Sequence, residues 1–215
     1  MSRQSSNALQ LTPSQLLSAK ARILEAAAEM FRTHGYDVAM DVIATAANVS
    51  KQTLYNQFGS KEDLFKAMIA DRAAVMRAPL NASALERHPR DMLADIARQY
   101  YQHACGEHEI SYYRMMIGAS QQFPEIGRAY YEAGPKAMVE ALAQWMAREE
   151  RLGRLDTGGD PMLAAEHFLS LVTGQIETRG LLGLWSEMSP AEMERRARFC
   201  ADVFMRAFGP HRLMG

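Results

Sequence analysis

Apolar residues recur at three- and four-residue intervals along most of this chain. Ile23, Ala27, Met30 and Phe31 show this spacing near the start, and Gly35 follows them as a residue free to adopt positive φ. The same spacing returns in every later segment of apparent structure, and no run alternates apolar and polar residues as a strand would. The pattern therefore predicts an all-α fold.

Capping residues set the expected limits of the first four helices. The sequence TPSQ at Thr12–Gln15 has the form of a capping box, with Pro13 in the first helical position, and predicts the start of the first helix. The remaining signals predict a second helix near Met40–Ala47, a third between Ser50 and Gly59, and a fourth starting in the SKED sequence at 60–63.

The rest of the chain predicts a second, larger helical unit. A polar segment with two prolines, Pro79–Pro89, is the expected linker. Five helical stretches follow it, with a break expected at Pro135: Arg90–Cys105, Glu109–Gln122, Pro124–Arg151, Pro161–Leu182 and Pro190–Phe208. We therefore expect nine to ten helices in two domains, residues 13–78 and 79–215.

Composition narrows the class of protein. Hydrophobic residues make up 48% of the 215 residues, charged residues 23%, and the net charge is −1, as in ordinary globular proteins. Residues 1–77 carry nine Lys and Arg against seven acids, so the front of the chain is slightly basic. No apolar run is long enough to span a membrane, no signal peptide is recognisable, and the two cysteines indicate no disulfide framework. A cytoplasmic protein is expected.

The third predicted helix, in VSKQTLYNQFGSK, is polar on one side and anchored by apolar residues on the other. Three short helices joined by a tight turn predict a helix-turn-helix, whose last helix fits the major groove of DNA. Gln52 and Asn56, four residues apart, suit adenine edges, and Lys51 suits guanine or phosphate. The residues expected at phosphates are Thr53, Tyr55, Gln57 and Lys61. The alternative is an ordinary solvated helix face.

The order of residues from Ile23 to Ile69 resembles the DNA-binding domain of the TetR (tetracycline repressor) family of transcriptional regulators. The resemblance is carried by Phe31–Gly35–Tyr36, Ile43–Ala44, Val49–Ser50, Thr53–Leu54–Tyr55, Phe58, Lys61–Glu62 and Leu64–Phe65. It implies that the third helix and its flank contact double-stranded operator DNA through the following residues: Lys51, Gln52, Thr53, Tyr55, Asn56, Gln57 and Lys61. Ala39 departs from the family, which usually has Ser or Thr there to cap the second helix, and Gly59 lacks a side chain that many relatives have.

The resemblance also implies a C-terminal domain that forms a homodimer and binds a small-molecule inducer. The last two helices are apolar over much of their surface, and the residues expected at the dimer interface are Phe168, Leu171, Phe199 and Val203. Burial in the core of one subunit is the alternative reading of the same residues.

Methionine and aromatic residues in the rear domain predict a pocket for an apolar ligand. The residues expected to line it are Tyr112, Met115, Met116, Phe123, Trp145, Phe168, Val172 and Ile176. The segment FPEIGRAYYEAGP at 123–135 resembles regulators of multidrug efflux, of the AcrR and AefR kind, which implies a hydrophobic or aromatic inducer. Plain core packing and an acyl-chain ligand are the alternatives.

Other chemistry is not indicated. His103, Cys105, His108 and Glu109 lie close in sequence, but their spacing matches no zinc motif, so no metal or cofactor is expected. No phosphate loop, nucleophile elbow or catalytic triad is present, so an enzyme is not expected. A helical interaction protein that does not bind DNA remains an alternative, and the sequence does not distinguish repressor from activator.

Overall fold

The chain is all-helical in the computed structural model, as the apolar periodicity predicts. The structure describes residues 18–80, 87–103, 106–184 and 186–210, and no strand occurs in these ranges. The helices are α1 (Ala19–His34), α2 (Met40–Ala46), α3 (Lys51–Phe58), α4 (Lys61–Arg77), α5 (Pro89–His103), α6 (Glu107–Gln122), α7 (Pro124–Tyr131), α8 (Ala137–Arg151), α9 (Pro161–Leu181) and α10 (Pro190–Phe208). None of the helices within these ranges is long and apolar enough to cross a membrane.

The chain divides into two compact units, and the division falls inside α4. Unit 1 ends at Met68, and unit 2 begins at Ile69. The sequence places the boundary later, at residues 78 and 79, because prolines mark the end of α4. The residues of the second half of α4 pack within unit 2, where Ile69 lies against Gly134 and Arg72 pairs with Glu109.

Unit 1 is built around a small core from its four helices. Its fully buried residues include Ile23, Phe31, Ile43, Leu54, Leu64 and Phe65. The rings of Phe31, Tyr36 and Phe65 lie 5.5–5.6 Å apart in stacked and edge-on pairs. These contacts hold the α1–α2 loop against α4.

The start of α1 differs from the prediction. Ser18 is the N-cap, and its hydroxyl accepts a hydrogen bond from the Ala21 N–H at 3.2 Å. The prediction that Thr12 caps this helix is therefore wrong, because the N-cap of α1 is Ser18. The Thr12–Gln15 segment itself lies outside the described residues.

The other helix limits agree with the capping signals to within about two residues. Ser50, Asp160 and Ser189 each accept a hydrogen bond from a backbone N–H in the first turn of α3, α9 and α10. The expected break at Pro135 is a π-helical segment, Glu132–Lys136, between α7 and α8.

The core of unit 2 joins α5 to α10 and α8 to α9. Its largest fully buried members are Trp145, Phe168, Met92, Leu93 and Ile96. Phe168 packs edge-on against Phe204 with ring centroids 5.3 Å apart. Burial of each of these side chains contributes about 1.5–3 kcal/mol to the stability of unit 2.

The helix α9 is interrupted at Gly174, whose φ of 46° and ψ of −133° are not helical. Near this break the Tyr101 hydroxyl donates a hydrogen bond to the carbonyl oxygen of Val172 at 3.1 Å. A side chain on residue 174 would meet no neighbouring atom within 4 Å, so it is backbone conformation that requires glycine there.

A close approach of α6 and α9 requires a second glycine. A Cβ atom on Gly180 would lie 2.5 Å from Cδ1 and 3.0 Å from Cγ2 of Ile110. The Arg114 guanidinium on α6 also donates a hydrogen bond to the Gly180 carbonyl at 2.9 Å. The absence of a side chain at 180 therefore sets the distance between these helices.

We expect Gly180→Ala to lower the free energy of unfolding by about 1–3 kcal/mol, because the methyl group would overpack against Ile110. The control is Gly118→Ala in α6, where a Cβ meets nothing within 4 Å. That change should stabilise the protein by about 0.5–1 kcal/mol through helix propensity. Urea unfolding of both variants provides the measurement, and equal stabilisation by both would contradict the close approach.

Candidate functional site

The polar face of α3 is fixed by what α3 buries. Leu54 and Phe58 are buried in unit 1, and the Ser50 hydroxyl caps the helix by accepting a hydrogen bond from the Thr53 N–H at 3.0 Å. The remaining side of α3 faces solvent. It carries five of the seven residues expected to bind DNA, all exposed: Lys51, Gln52, Tyr55, Asn56 and Gln57.

Gln52 and Asn56 form one unit on this face. The Gln52 side-chain amide donates a hydrogen bond to the Asn56 amide oxygen at 2.9 Å. The bond aligns the two amides, and the pair retains a free acceptor and free donors toward solvent. The major-groove edge of adenine presents one donor and one acceptor, so the pair matches it chemically.

Lys51 is paired with a carboxylate on the neighbouring helix. Its Nζ lies 2.9 Å from the carboxylate oxygens of Asp41 on α2 and 5.9 Å from the ring centroid of Tyr55. The hydrogen bond to Asp41 raises the pKa of Lys51 above its ordinary value. Tyr55 itself is 39% exposed.

The two other predicted DNA contacts are engaged within unit 1. The Thr53 hydroxyl is half-buried and lies 2.8 Å from the Ser50 hydroxyl. The Lys61 ammonium donates hydrogen bonds to the carbonyl oxygens of Tyr36, at 2.9 Å, and Val38, at 3.1 Å. It also lies 4.8 Å from the Tyr36 ring centroid, so it fastens the α1–α2 loop to α4.

The departure at Ala39 has the consequence expected from the sequence. Ala39 is the N-cap of α2 and makes no side-chain capping bond. The Asp41 carboxylate in the first turn of α2 complements the helix dipole there.

In unit 2, the residues predicted to bind a ligand do not form one group. Trp145, Phe168 and Val172 are buried in the core of the unit, and Ile176 packs at its edge. Tyr112 and Met116 are buried outside that core cluster, and Met115 and Phe123 are half-buried. Tyr112 lies beside α4, with the Arg72 guanidinium 5.9 Å from its ring centroid.

A polar cluster that the sequence analysis did not predict lies among four helices. The Tyr100 hydroxyl on α5 donates a hydrogen bond to the Glu177 carboxylate on α9 at 2.5 Å. The rings of Tyr113 on α6 and Tyr130 on α7 stack with centroids 5.5 Å apart. We call these four residues the tyrosine–glutamate cluster.

One sequence signal could have indicated the cluster. Six of the eight tyrosines occur in three adjacent pairs, 100–101, 112–113 and 130–131, one pair on each of α5, α6 and α7. Adjacent residues on a helix point about 100° apart, so a pair places one ring toward each of two neighbours. Tyr101 accordingly faces the Val172 carbonyl, whereas Tyr100 faces Glu177.

Tyr112, Tyr113 and Tyr130 are neutral phenols. Burial raises the pKa of Tyr113 and Tyr130, and the negative charge of Glu177 raises both further. Burial also raises the pKa of Tyr112, although Arg72 opposes that shift. These hydroxyls therefore act as hydrogen-bond donors and acceptors, and not as anions.

The residues predicted for the dimer interface differ in the surface they present. Phe168 is fully buried within the chain and has no surface to offer a second copy. Phe199 is 59% exposed, and Leu171 and Val203 are half-buried. The Cys200 sulfur lies 3.6 Å from the Leu171 carbonyl, which brings the α9 and α10 segments that carry these three residues together.

The titratable residues at 103–109 form no metal site among the described residues. His103 is exposed at the end of α5, and Cys105 and the His108 side chain lie outside the described residues. The Glu109 carboxylate pairs with Arg72. Within the described ranges no three His, Cys, Asp or Glu side chains come together as metal ligands.

Two family profiles match the chain in the two units described above. Residues 23–68 match the profile of bacterial regulatory proteins of the tetR family, and residues 91–210 match the AefR-like transcriptional repressor C-terminal domain. The second match covers more than half of the chain and includes α6, α7 and α9.

Individual relatives agree with these profiles. The HTH-type transcriptional regulatory protein RaaS of Mycobacterium tuberculosis is 30% identical over 158 residues, which are 74% of this chain and 69% of that protein. A TetR-family transcriptional regulator from Mesorhizobium loti is 28% identical, with a TM-score of 0.75 over 93% of this chain and all of that one. The flavonoid-responsive regulator FrrA is 32% identical, with a TM-score of 0.68 over 90% of this chain and 98% of that one. The chain therefore belongs to the TetR family of transcriptional regulators, which are not enzymes, and carries an AefR-like C-terminal domain.

Proposed function

We propose that this protein is a homodimeric repressor that binds a palindromic operator through α3 and is released by a small hydrophobic or aromatic inducer. The observation that carries the proposal is the exposed polar face of α3, with the bonded Gln52–Asn56 pair at its centre. The protein would act in the cytoplasm, where its operator DNA lies.

Base reading falls to the exposed amides. Gln52 and Asn56 contact adenine edges, and Lys51 exchanges Asp41 for a guanine or a phosphate. Tyr55 and Gln57 contact phosphates, which fix the register of α3 in the groove. Thr53 and Lys61 make hydrogen bonds within unit 1 and support the fold beneath this face. Either side chain could contact a phosphate in addition to that role.

Dimerisation uses the apolar surface around Phe199 with Leu171 and Val203. A dimer places two copies of α3 on successive major grooves when they are about 34 Å apart, which is the reason for a palindromic operator. Exposed Phe199 supplies the apolar area that two copies would bury together.

Release follows from linkage between ligand and DNA. An inducer lowers DNA affinity only by as much as it prefers the conformation that does not bind DNA. The similarity to the flavonoid-responsive regulator FrrA supports an aromatic inducer for this chain. An acyl-chain ligand is the alternative, and an inducer screen on the protein–operator complex distinguishes the two. A ligand that strengthens DNA binding would indicate an activator or a corepressor.

We expect Gln52→Ala to weaken operator binding by about tenfold or more, because an amide-to-adenine contact contributes about 1–3 kcal/mol of discrimination. Tyr55→Ala should weaken binding to specific and nonspecific DNA alike through its lost phosphate contact. The measurement is a gel shift on DNA flanking the protein's own gene, over a salt series. The control is Gln121→Ala, an exposed glutamine on α6. Equal binding by wild type and both α3 variants would overturn the proposed DNA face.

Lys61→Met tests whether this residue holds the loop or contacts DNA. We expect the free energy of unfolding to fall by about 1–3 kcal/mol, because the Tyr36 and Val38 carbonyls lose a charged donor. The salt dependence of DNA binding should stay the same. A slope reduced by about one, with stability unchanged, would instead identify Lys61 as a phosphate contact.

Phe199→Glu should convert the dimer to a monomer at micromolar concentration and abolish tight operator binding, because a charge would be buried at the interface. Light scattering coupled to size exclusion measures the first effect, and the gel shift measures the second. The control is Leu152→Glu, since Leu152 is 55% exposed in the turn after α8 and lies outside the proposed interface. A dimer that persists in Phe199→Glu would exclude this surface.

A further inference from the structure

The tyrosine–glutamate cluster contains a carboxylate with no cation beside it. Glu177 is half-buried, and the only side-chain hydrogen bond it makes within the described ranges comes from the Tyr100 hydroxyl at 2.5 Å. The same ranges contain no ion pair to Glu177. Removing a carboxylate from water without a cation beside it costs solvation free energy, and part of that cost applies to a half-buried group.

Two arginines on helices near the cluster already have partners. Arg114 on α6 donates to the Gly180 carbonyl at 2.9 Å, and Arg72 on α4 pairs with Glu109. Three tyrosine rings accompany the carboxylate instead. The positive charge that would complement Glu177 is therefore not supplied by these side chains.

Contacts between helices place the rings near the carboxylate. Ile110 on α6 lies against Gly180 on α9. Tyr113 follows Ile110 by about one helical turn, and Glu177 precedes Gly180 by about one helical turn. Tyr130 then stacks on Tyr113. The negative charge of Glu177 also raises the pKa of both phenols, as expected for groups at short range.

This combination suits one class of ligand. A carboxylate attracts an organic cation by charge, and aromatic faces attract the same cation through their quadrupoles. The Tyr100 hydroxyl orients the carboxylate by its hydrogen bond, and Tyr113, Tyr130 and Glu177 are each only partly buried. A neutral ligand would leave the carboxylate without a partner, and an anion would be repelled by it.

We propose that the tyrosine–glutamate cluster binds organic cations with an aromatic or apolar body, and that such cations are the inducers of this regulator. The second part rests on the proposed function. Glu177 supplies the charge, Tyr113 and Tyr130 supply ring faces, and Tyr100 is a positioning residue. The Gly174 break lies one turn before Glu177, so an occupied site adjoins the one non-helical residue inside α9.

The test uses two probes of the same shape, the phenyltrimethylammonium cation and neutral tert-butylbenzene. Calorimetry measures binding of each to the full-length protein without DNA. We expect the cation to bind wild type at least about tenfold more tightly than the neutral probe, and Glu177→Gln to remove that preference. Glutamine retains the shape and the acceptor for Tyr100, so a thermal melt should show the variant folded.

Tyr113→Leu and Tyr113→Phe separate the ring from the hydroxyl. The leucine variant should bind the cation several-fold more weakly, because one ring face is lost, whereas the phenylalanine variant should bind it as wild type does. Equal binding of the two probes by wild type, or a cation affinity unchanged in Glu177→Gln, would overturn the site.

The gel shift then tests the inducer role separately. Release of operator DNA by the cation from wild type, but not from Glu177→Gln, would support it. A cation that binds in calorimetry and leaves the DNA complex intact would overturn the inducer assignment alone. Failure of the protein to bind operator DNA at all would overturn the proposed function, while the calorimetric result on the site would stand.

Discussion

The proposed DNA-reading face depends on the burial of two side chains. An eight-residue helix is not stable alone in water, so α3 exists because Leu54 and Phe58 are buried against the rest of unit 1. Their positions, four residues apart, determine which side of α3 remains outside. The Ser50 cap and the Lys61 bonds to the α1–α2 loop then fix where α3 begins and what supports it. The proposed specificity for DNA therefore rests on apolar contacts inside unit 1 that lie away from the exposed face of α3.

Unit 2 differs in that it places polar groups between its helices. The Tyr101 hydroxyl donates to the Val172 carbonyl near the break in α9, and Arg114 adds a hydrogen bond to the Gly180 carbonyl, which also accepts one from the Gly183 N–H. Buried carbonyl groups gain stability from such partners. Glu177 differs from them, since its bond from Tyr100 satisfies an oxygen without neutralising the charge. The proposed binding role of Glu177 rests on this difference.

Local signals in the sequence predicted most helix limits, whereas the contacts between helices could not be predicted from it. Ser50, Asp160 and Ser189 cap helices as their residue types and neighbours indicate, because a cap depends on four consecutive residues. The same local signals gave the wrong cap for α1. Thr12 and Ser18 are both residue types that favour an N-cap, and the sequence pattern does not show which of the two is used. Phe168 was expected at the dimer interface but is buried in the core. An apolar residue on α9 suits either environment, so the sequence alone does not decide between them. Tyr100 and Tyr130 were missed because only packing brings α5, α7 and α9 together.

The Asp41–Lys51 pair gives the proposed reading face an internal counter-ion. A polyanion that approaches Lys51 must first displace a carboxylate held 2.9 Å away, and it then remains near the negative charge of Asp41. Contacts that offer charge alone gain little from this exchange, whereas a base edge that adds oriented hydrogen bonds gains more. Asp41 would thus compete within the molecule for Lys51 and weaken nonspecific DNA binding. It would widen the ratio between one correct site and the many incorrect sites of a genome, and this ratio governs how a regulator distributes itself along DNA.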